Sequence, residues 1–420
     1  MGPLKDIKIF DLTRVLAGPH CTQILGDLGA NIIKIERVET GDDTRKFAPP
    51  YMKDTDGKDT NQSAYFSGTN RNKRSLTLDL SSEEGQSIAR ELISKSDILV
   101  ENFKVGTLKK YNLDYESLKD QFPDLIYCSI TGFGQTGPYA SRPAYDALVQ
   151  AMGGVMSLTG EPDGEPMKVG VSIADLMAGM YATVSILAAL RHRDKTNQGQ
   201  HLDISMLDAH VAWLANQGMN YLATGSNPDR LGNQHPNILP YQVMPSKDGY
   251  FVLSVGNDAT FERFCEVASC EYLLADKKFA EAVERVKNRE EVTNKLNEIT
   301  KTHETKWWLE KLEEKNIGCC AINSLEEVFS DPQVLARDMI IDMKGTDKNQ
   351  SPYKLIANPI KMSEGSITYR HPPPQHGEHT EEIETIEARS KPTWLPPQPF
   401  LDLGVKVRLM YERLRARSEI

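Results

Sequence analysis

Basic charge, paired cysteines and glycine-rich phosphate loops are all scarce in this chain of 420 residues. Lys and Arg number 49 against 59 Asp and Glu, a formal charge of −10, which argues against nucleic acid or an anionic membrane as the main partner. An anionic ligand would need a local basic patch. The six cysteines (Cys21, Cys128, Cys265, Cys270, Cys319, Cys320) contain no C-x-x-C pair and no zinc spacing, so a reduced compartment and plain thiols are expected. His371, His376 and His379 lie close together, but flanking prolines make them loop residues rather than ligands, and no metal is expected. No G-x-G-x-x-G follows the first strand pattern, which counts against a nicotinamide dehydrogenase. The absence of a G-x-S-x-G elbow disfavours an α/β-hydrolase. The longest apolar run, Leu176 to Leu190, falls short of the roughly 20 residues that cross a bilayer, so no transmembrane segment is expected. The start, Met1 to Asp6, does not read as a signal peptide.

What is present alternates between strand and helix. Ile7–Leu12, then a helix from His20 to Leu28, then Asn31–Glu36 make a βαβ unit, which predicts a parallel sheet with right-handed crossovers. Residues 39–61 are charged and carry Gly and Pro, the pattern of a long surface loop. Ser75–Asp79 is the next strand, Ser81-Ser-Glu-Glu84 fits a capping box for a helix over 82–95, and Asp97–Val100 follows as a strand. Glu101-Asn102-Phe103 closes it at the end where open α/β sheets bind ligands. Leu125–Thr131 reads as a buried strand, Arg142–Met152 as a helix, 200–205 as a strand and 206–222 as a helix. The fold class is α/β: a large domain over 1–224, a smaller α+β domain over 225–330, a return segment over 331–380 and an atypical tail over 381–420. The tail combines the proline-rich stretch Lys391–Pro399 with a basic amphipathic stretch, Leu403–Arg415.

One residue stands out against this frame. Asp175 sits at the mouth of the apolar stretch Leu176–Leu190, which reads as a helix buried over most of its circumference. Asp is a preferred helix N-cap, so the bland reading is structural. A carboxylate kept ionised by helix amides in a water-poor pocket is also a competent nucleophile. Basic residues cluster at Asn70-Arg71-Asn72-Lys73-Arg74 and at Lys109-Lys110, both beside strands of the expected sheet, where an anion could be held.

Residues 3–380 resemble the class III coenzyme A transferases. The motifs that carry the resemblance are Arg14-Val-Leu-Ala-Gly-Pro19, Ile33–Arg37, Asn70–Arg74, Glu101–Phe103, Ser129–Pro138, Arg142–Asp146 and Ile173-Ala-Asp175. The likeness is strongest to members that move coenzyme A from succinyl-CoA to a dicarboxylate such as glutarate or 3-hydroxy-3-methylglutarate. It implies a Rossmann-like large domain, an interlocked homodimer, a mitochondrial matrix location, coenzyme A as substrate and no resident cofactor. It further implies that Asp175 is the nucleophile and that Leu16, Ala17, Arg37, Asn72, Lys73, Asn102, Phe103 and Lys110 hold coenzyme A. Arg71, a guanidinium beside those motifs, is expected to read the far carboxylate of the acyl chain, with Tyr145 also at the substrate. Tyr145 stands where the racemase branch of this fold has a catalytic His, which weighs against α-proton exchange on a 2-methylacyl-CoA. A third reading, acyl-CoA binding without catalysis, rests on the departure of residues 381–420 from the family's usual short apolar helix.

Overall fold

The computed structural model describes residues 2–345 and 351–387. Within these the chain divides into two compact units, one running up to Met152 with residues 172–212 and the chain from Arg337 on, the other comprising 153–171 and 213–336. The boundary therefore falls at 212/213 rather than 224/225, and residues 153–171 pass to the smaller unit. The expected helix over 206–222 is two helices, Met206–Ala212 and Ala215–Thr224, one in each unit.

The larger unit is built on six parallel strands: β1 (Lys8–Asp11), β2 (Asn31–Glu36), β3 (Lys73–Thr77), β4 (Ile98–Glu101), β5 (Ile126–Thr131) and β6 (Gln200–Ser205). Their spatial order is β3-β2-β1-β4-β5-β6. This is the doubly wound order, in which the direction of winding reverses between β1 and β4 and leaves a crevice beyond the carboxyl ends of those strands. Strand periodicity of two sends alternate residues to opposite faces. Ile9, Ile98, Val100, Ile126, Cys128 and Ile130 pack on one side, and Phe10, Leu99 and Tyr127 on the other. Every residue of β5 is buried, as expected of a central parallel strand covered on both faces.

Helix α1 (Ala17–Asp27) lies on the first face and is buried along almost its whole length. On the second face, α2 (Glu83–Ile93) buries Gly85, Ile88, Ala89, Leu92 and Ile93, an apolar stripe at helical spacing. Its cap is Ser82, which accepts the Gly85 N–H at 3.0 Å, one residue later than the capping-box pattern suggests. Helix α3 (Asp146–Met152) and the 24-residue α4 (Ile173–Thr196) complete the first face, followed by α5 (Met206–Ala212). By length and composition α4 could cross a bilayer, longer than the apolar run suggests. Here Ala174, Ala178, Ala182, Ile186 and Ala189 are packed with β5 and α1, which is the arrangement of a core helix.

Residues 39–61 are more ordered than their composition indicates. A 3-10 turn over Asp43–Lys46 is capped by Asp42, and Tyr51–Lys53 pairs antiparallel with Asp59–Ser63. The chain after Arg337 forms an antiparallel pair, Ile340–Met343 with Tyr353–Ile356, and then covers the open edge of β3. His379 donates its amide to Ser75 O at 3.0 Å, and Asn72 donates its amide to His371 O at 2.8 Å. An exposed strand edge is thereby protected from pairing with another chain. A helix over Thr380–Glu387 ends the described residues, so the expectations for Lys391–Pro399 and Leu403–Arg415 lie outside them.

The smaller unit centres on an antiparallel sheet of β7 (Tyr241–Pro245), β8 (Tyr250–Ser254) and β9 (Gly318–Ala321), with β8 in the middle. Phe251, Phe261, Phe264, Leu296 and Trp308 form its core. The Trp308 indole donates to Thr300 O at 2.7 Å, which satisfies the one polar atom of the largest buried side chain.

Candidate active site

Asp175 is the third residue of α4, not its cap. The N-terminal amides of that helix are taken by a different carboxylate: Asp146 Oδ1 accepts the Ala174 N–H at 2.9 Å and the Asp175 N–H at 3.4 Å. Asp146 Oδ2 in turn accepts the amide of the buried Gln150 at 2.7 Å. Asp175 is left free to face α1, where the Ala17 N–H hydrogen-bonds its carboxyl. Burial, first, and the nearby Asp146 charge, second, push the Asp175 carboxyl up to about 7, against the pull of the Ala17 amide. The expectation of a carboxylate held ionised by its own helix is thus corrected. The helix amides belong to Asp146, and Asp175 is a half-desolvated, unusually basic carboxyl.

Small residues make this approach possible. A methyl at Gly179 would lie 2.6 Å from Ala17 O, so α1 and α4 cross in contact only because position 179 has no side chain. The loop ahead of α1 is strained: Val15 has φ +68°, a region that β-branched residues rarely occupy. It is held by hydrogen bonds on both sides. Asn102 accepts the Arg14 N–H at 2.9 Å and donates to Arg14 O at 2.7 Å, while Asp42 accepts the Val15 N–H at 3.3 Å. Tyr65 and Ser172 also belong here. Their side chains are hydrogen-bonded, and burial followed by the Asp175 charge raises the tyrosine pKa. Nothing in the local sequence marks Tyr65 or Ser172, because their roles depend on the return of the chain to α4.

Beyond the carboxyl ends of β1 to β4 lies a cavity of about 620 Å³. Arg14 lines it after β1, Arg37 to Asp42 after β2, Leu78 to Ser82 after β3, and Phe103 after β4. Arg37 is half exposed at Asp43, which Arg14 also pairs at 2.9 Å, and the Arg14 guanidinium lies 5.7 Å from the Phe103 ring. Only three positions along the chain separate Arg14, at this cavity, from Ala17, at Asp175.

The structure sorts the expected binding residues into two groups. Leu16, Ala17, Arg37, Asn102 and Phe103 come together along the cavity and the head of α1. Lys110 is exposed on the 3-10 turn Leu108–Tyr111, whose Tyr111 lines the cavity. Asn72, Lys73 and Arg71 are internal. Asn72 Nδ2 donates to Asp27 and to Thr368 O, both at 2.8 Å, and its Oδ1 accepts the Arg370 N–H at 2.7 Å. Lys73 is wholly buried, 3.2 Å from Asp11 and donating to Pro19 O and Asn70 Oδ1 at 3.0 Å. Desolvation lowers its pKa to about 8 despite Asp11. Arg71 makes a two-pronged pair with buried Asp27, at 2.9 and 2.6 Å, and donates to Ile356 O at 2.9 Å. It ties the return segment down and presents no free guanidinium to an acyl chain, which corrects the role expected for it. Arg74 pairs with Glu382 at 3.0 Å. Tyr145 is 70 % exposed on the approach to α3.

The signal that separates these groups is the direction of β3. Asn72 and Lys73 stand at its amino end, whereas the crevice lies beyond its carboxyl end. Leu78, Asp79, Leu80 and Ser81, which are not among the expected binding residues, occupy that end.

An open doubly wound sheet with a cavity beyond the carboxyl ends of its strands is the arrangement of a ligand-binding α/β protein, and a desolvated carboxyl at the head of a packed helix adds a candidate nucleophile. The family model for CoA-transferase family III matches residues 4–380, and the chain belongs to that family. It is 46% identical over 398 residues to the succinate–glutarate CoA-transferase of Agrobacterium fabrum, covering 93% of this chain and 98% of the relative. It is 37% identical over 381 residues to the human succinyl-CoA:glutarate CoA-transferase, covering 91% and 85%. Among solved structures, a CAIB/BAIF family protein from Brucella suis matches with a TM-score of 0.81 at 44% identity, covering 92% of this chain and 99% of that one. The chain is an enzyme, a CoA-transferase.

Proposed function

We propose that this enzyme transfers coenzyme A from succinyl-CoA to glutarate or a similar dicarboxylate, with Asp175 as the nucleophile. The support for the substrates is the pair of relatives named for that reaction, one of them alike over nearly the full length of both chains. The observation that carries the mechanism is the Asp175 carboxyl at the head of helix α4, desolvated, raised to about 7 and hydrogen-bonded by the Ala17 amide. A carboxylate of that basicity is a stronger nucleophile than an ordinary aspartate and still ionises near neutral pH.

In this reading the Asp175 carboxylate attacks the thioester carbonyl of succinyl-CoA and expels the thiolate, leaving an aspartyl–succinyl anhydride. The thiolate attacks the aspartyl carbon of the anhydride and releases succinate, leaving an aspartyl–CoA thioester. The acceptor carboxylate repeats the exchange in reverse: it displaces the thiolate to form a second anhydride, and the thiolate then takes the acceptor's acyl group and frees Asp175. No net proton moves. The Ala17 N–H is placed to stabilise oxyanions formed at the aspartyl carbon, and the apolar packing of α1 on α4 keeps water from the anhydrides. The 620 Å³ cavity takes the nucleotide end of coenzyme A, with Arg37 and Lys110 toward its phosphates and Phe103 as a wall.

The same reading includes a homodimer. Helix α4 turns Met180, Tyr181, Val184 and Leu187 outward, 37–58 % exposed, a stripe of apolar surface that a second copy would cover.

The test is incubation with succinyl-CoA and glutarate, with glutaryl-CoA followed by mass spectrometry. Wild type is expected to form it and Asp175→Ala to form none. Glutaryl-CoA production by Asp175→Ala at the wild-type rate would remove Asp175 from the chemistry.

A further inference from the structure

Glu101, the last residue of β4, is a buried carboxyl toward which no cation among the described residues acts; the one charged group that does is Asp203. Its Oε2 accepts the Phe103 N–H at 2.7 Å, folding the chain back at Asn102. Its carboxyl also hydrogen-bonds the hydroxyl of Ser129, the residue directly beside it in the sheet register. Ser129 Oγ lies 3.0 Å from His201 Nε2 on β6, and the His201 ring stacks on Tyr115 at 4.9 Å. The charged and titratable groups that face this chain are Asp203, Tyr127 and Cys128 from the neighbouring strands toward Glu101, with Asp203 and, from the short helix Tyr115–Leu118, Glu116 toward His201. None of these groups takes part in the chemistry at Asp175, and a buried carboxylate without a counter-ion calls for a role.

We propose that Glu101 is a positioning residue for coenzyme A, holding the Asn102–Phe103 turn against the cavity through a hydrogen-bond chain that runs Phe103–Glu101–Ser129–His201. The proposal rests on the reading of the 620 Å³ cavity as the nucleotide site. The turn does two things there: Phe103 forms part of the wall, and Asn102 clamps the backbone of Arg14 on both sides. Ionised Glu101 accepts from both the Phe103 amide and the Ser129 hydroxyl, leaving the Ser129 oxygen to accept from a His201 protonated on Nε2. A proton taken up by Glu101 reverses the sequence. Glu101 then donates to Ser129, Ser129 donates to His201 Nε2, and the single ring proton of His201 moves to Nδ1. The Phe103 amide is left on a neutral carbonyl, a weaker acceptor than a carboxylate. Burial raises the Glu101 carboxyl to about 7, so both arrangements are within reach of ordinary pH.

The Glu101→Gln variant fixes the second arrangement, since its amide nitrogen can only donate to Ser129. Free coenzyme A is titrated calorimetrically into the full chain at pH 6 and pH 8, for wild type, Glu101→Gln and Phe103→Ala, with kcat measured at saturating succinyl-CoA. Glu101→Gln is expected to bind coenzyme A about fivefold more weakly than wild type at pH 8, with the difference closing at pH 6, and to raise KM with kcat unchanged. Titration of the 3′-phosphate is common to both proteins and cancels in the comparison. Equal or tighter binding by Glu101→Gln at pH 8, while Phe103→Ala weakens it, overturns the role of Glu101 and leaves the cavity reading intact. Wild-type affinity in Phe103→Ala overturns the cavity reading itself. If Glu101→Gln folds poorly, Ser129→Ala serves in its place. Loss of the hydroxyl donor makes Glu101 harder to ionise, so the pH dependence of coenzyme A binding moves upward, and an unmoved dependence refutes the chain.

Discussion

Asp146 caps the helix that carries Asp175, its Oδ1 accepting the Ala174 amide at 2.9 Å and the Asp175 amide at 3.4 Å. The Asp146 carboxylate is therefore bound to the peptide segment that carries Asp175, and its charge opposes ionisation of the Asp175 carboxyl. The favourable field at the head of α4 is largely neutralised by Asp146, so Asp175 stays basic where a helix terminus would ordinarily make it acidic.

With Asp175 as the proposed nucleophile, kcat/KM for succinyl-CoA is expected to rise with pH through about 7, because only the ionised carboxylate can attack. Asp146→Asn retains a side-chain oxygen to accept the Ala174 N–H but removes the charge. Its acid limb is expected at lower pH than that of wild type. A limb that stays in place would show that burial alone sets the Asp175 basicity.

The contact between α1 and α4 is the second point at which the site can be broken without touching a reacting group. Gly179→Ala places a methyl 2.6 Å from Ala17 O and forces the helices apart, taking the Ala17 N–H away from Asp175. At least a tenfold fall in kcat is expected, in line with loss of an oxyanion donor, together with a lower melting temperature. A variant of normal kcat would show that the amide contact is dispensable.

Much of this arrangement could be read from the residues. The strand and helix alternation pointed to the parallel sheet, and the apolar stretch after Asp175 marked a long helix, because both depend on local periodicity. Burial over most of that helix's circumference is not what the chain shows, since Met180, Tyr181, Val184 and Leu187 stand exposed. Asp146 as the cap of α4 was not legible, since 28 residues separate it from Ala174 and only tertiary folding brings them together. The internal role of Arg71, Asn72 and Lys73 escaped for a related reason. Charge in sequence reads as surface, and the partners that draw these residues inward, Asp27, Asp11 and residues 356–371, come from distant parts of the chain.

That distinction predicts opposite outcomes for two arginines. Arg71→Met leaves Asp27 buried without its cation and is expected to lower stability by about 3–5 kcal/mol, while the folded fraction binds coenzyme A normally. Arg37→Ala removes a half-exposed side chain from the mouth of the cavity. Its unfolding free energy should hold within roughly 0.5 kcal/mol, while the Kd for coenzyme A rises. Calorimetry on both variants checks this, and a selective loss of coenzyme A affinity in Arg71→Met would return that residue to the binding site.

The raised Asp175 pKa carries a stability consequence whose sign can be worked out. In the unfolded chain the carboxyl ionises near its ordinary value, about 4, whereas in the fold it keeps its proton up to about 7. Between those values the folded state holds a proton that the unfolded state has lost, so stability from this group is full below about 4 and disappears as pH rises through 7. Asp175→Asn, neutral at every pH, escapes that loss. It is expected to melt above wild type at pH 8 and by a smaller margin at pH 5. Matching margins at the two pH values would mean that Asp175 is not desolvated in the folded protein. The larger margin at pH 8 would measure directly how far the fold is destabilised by holding the Asp175 carboxyl in a desolvated site, the condition its proposed role as nucleophile requires.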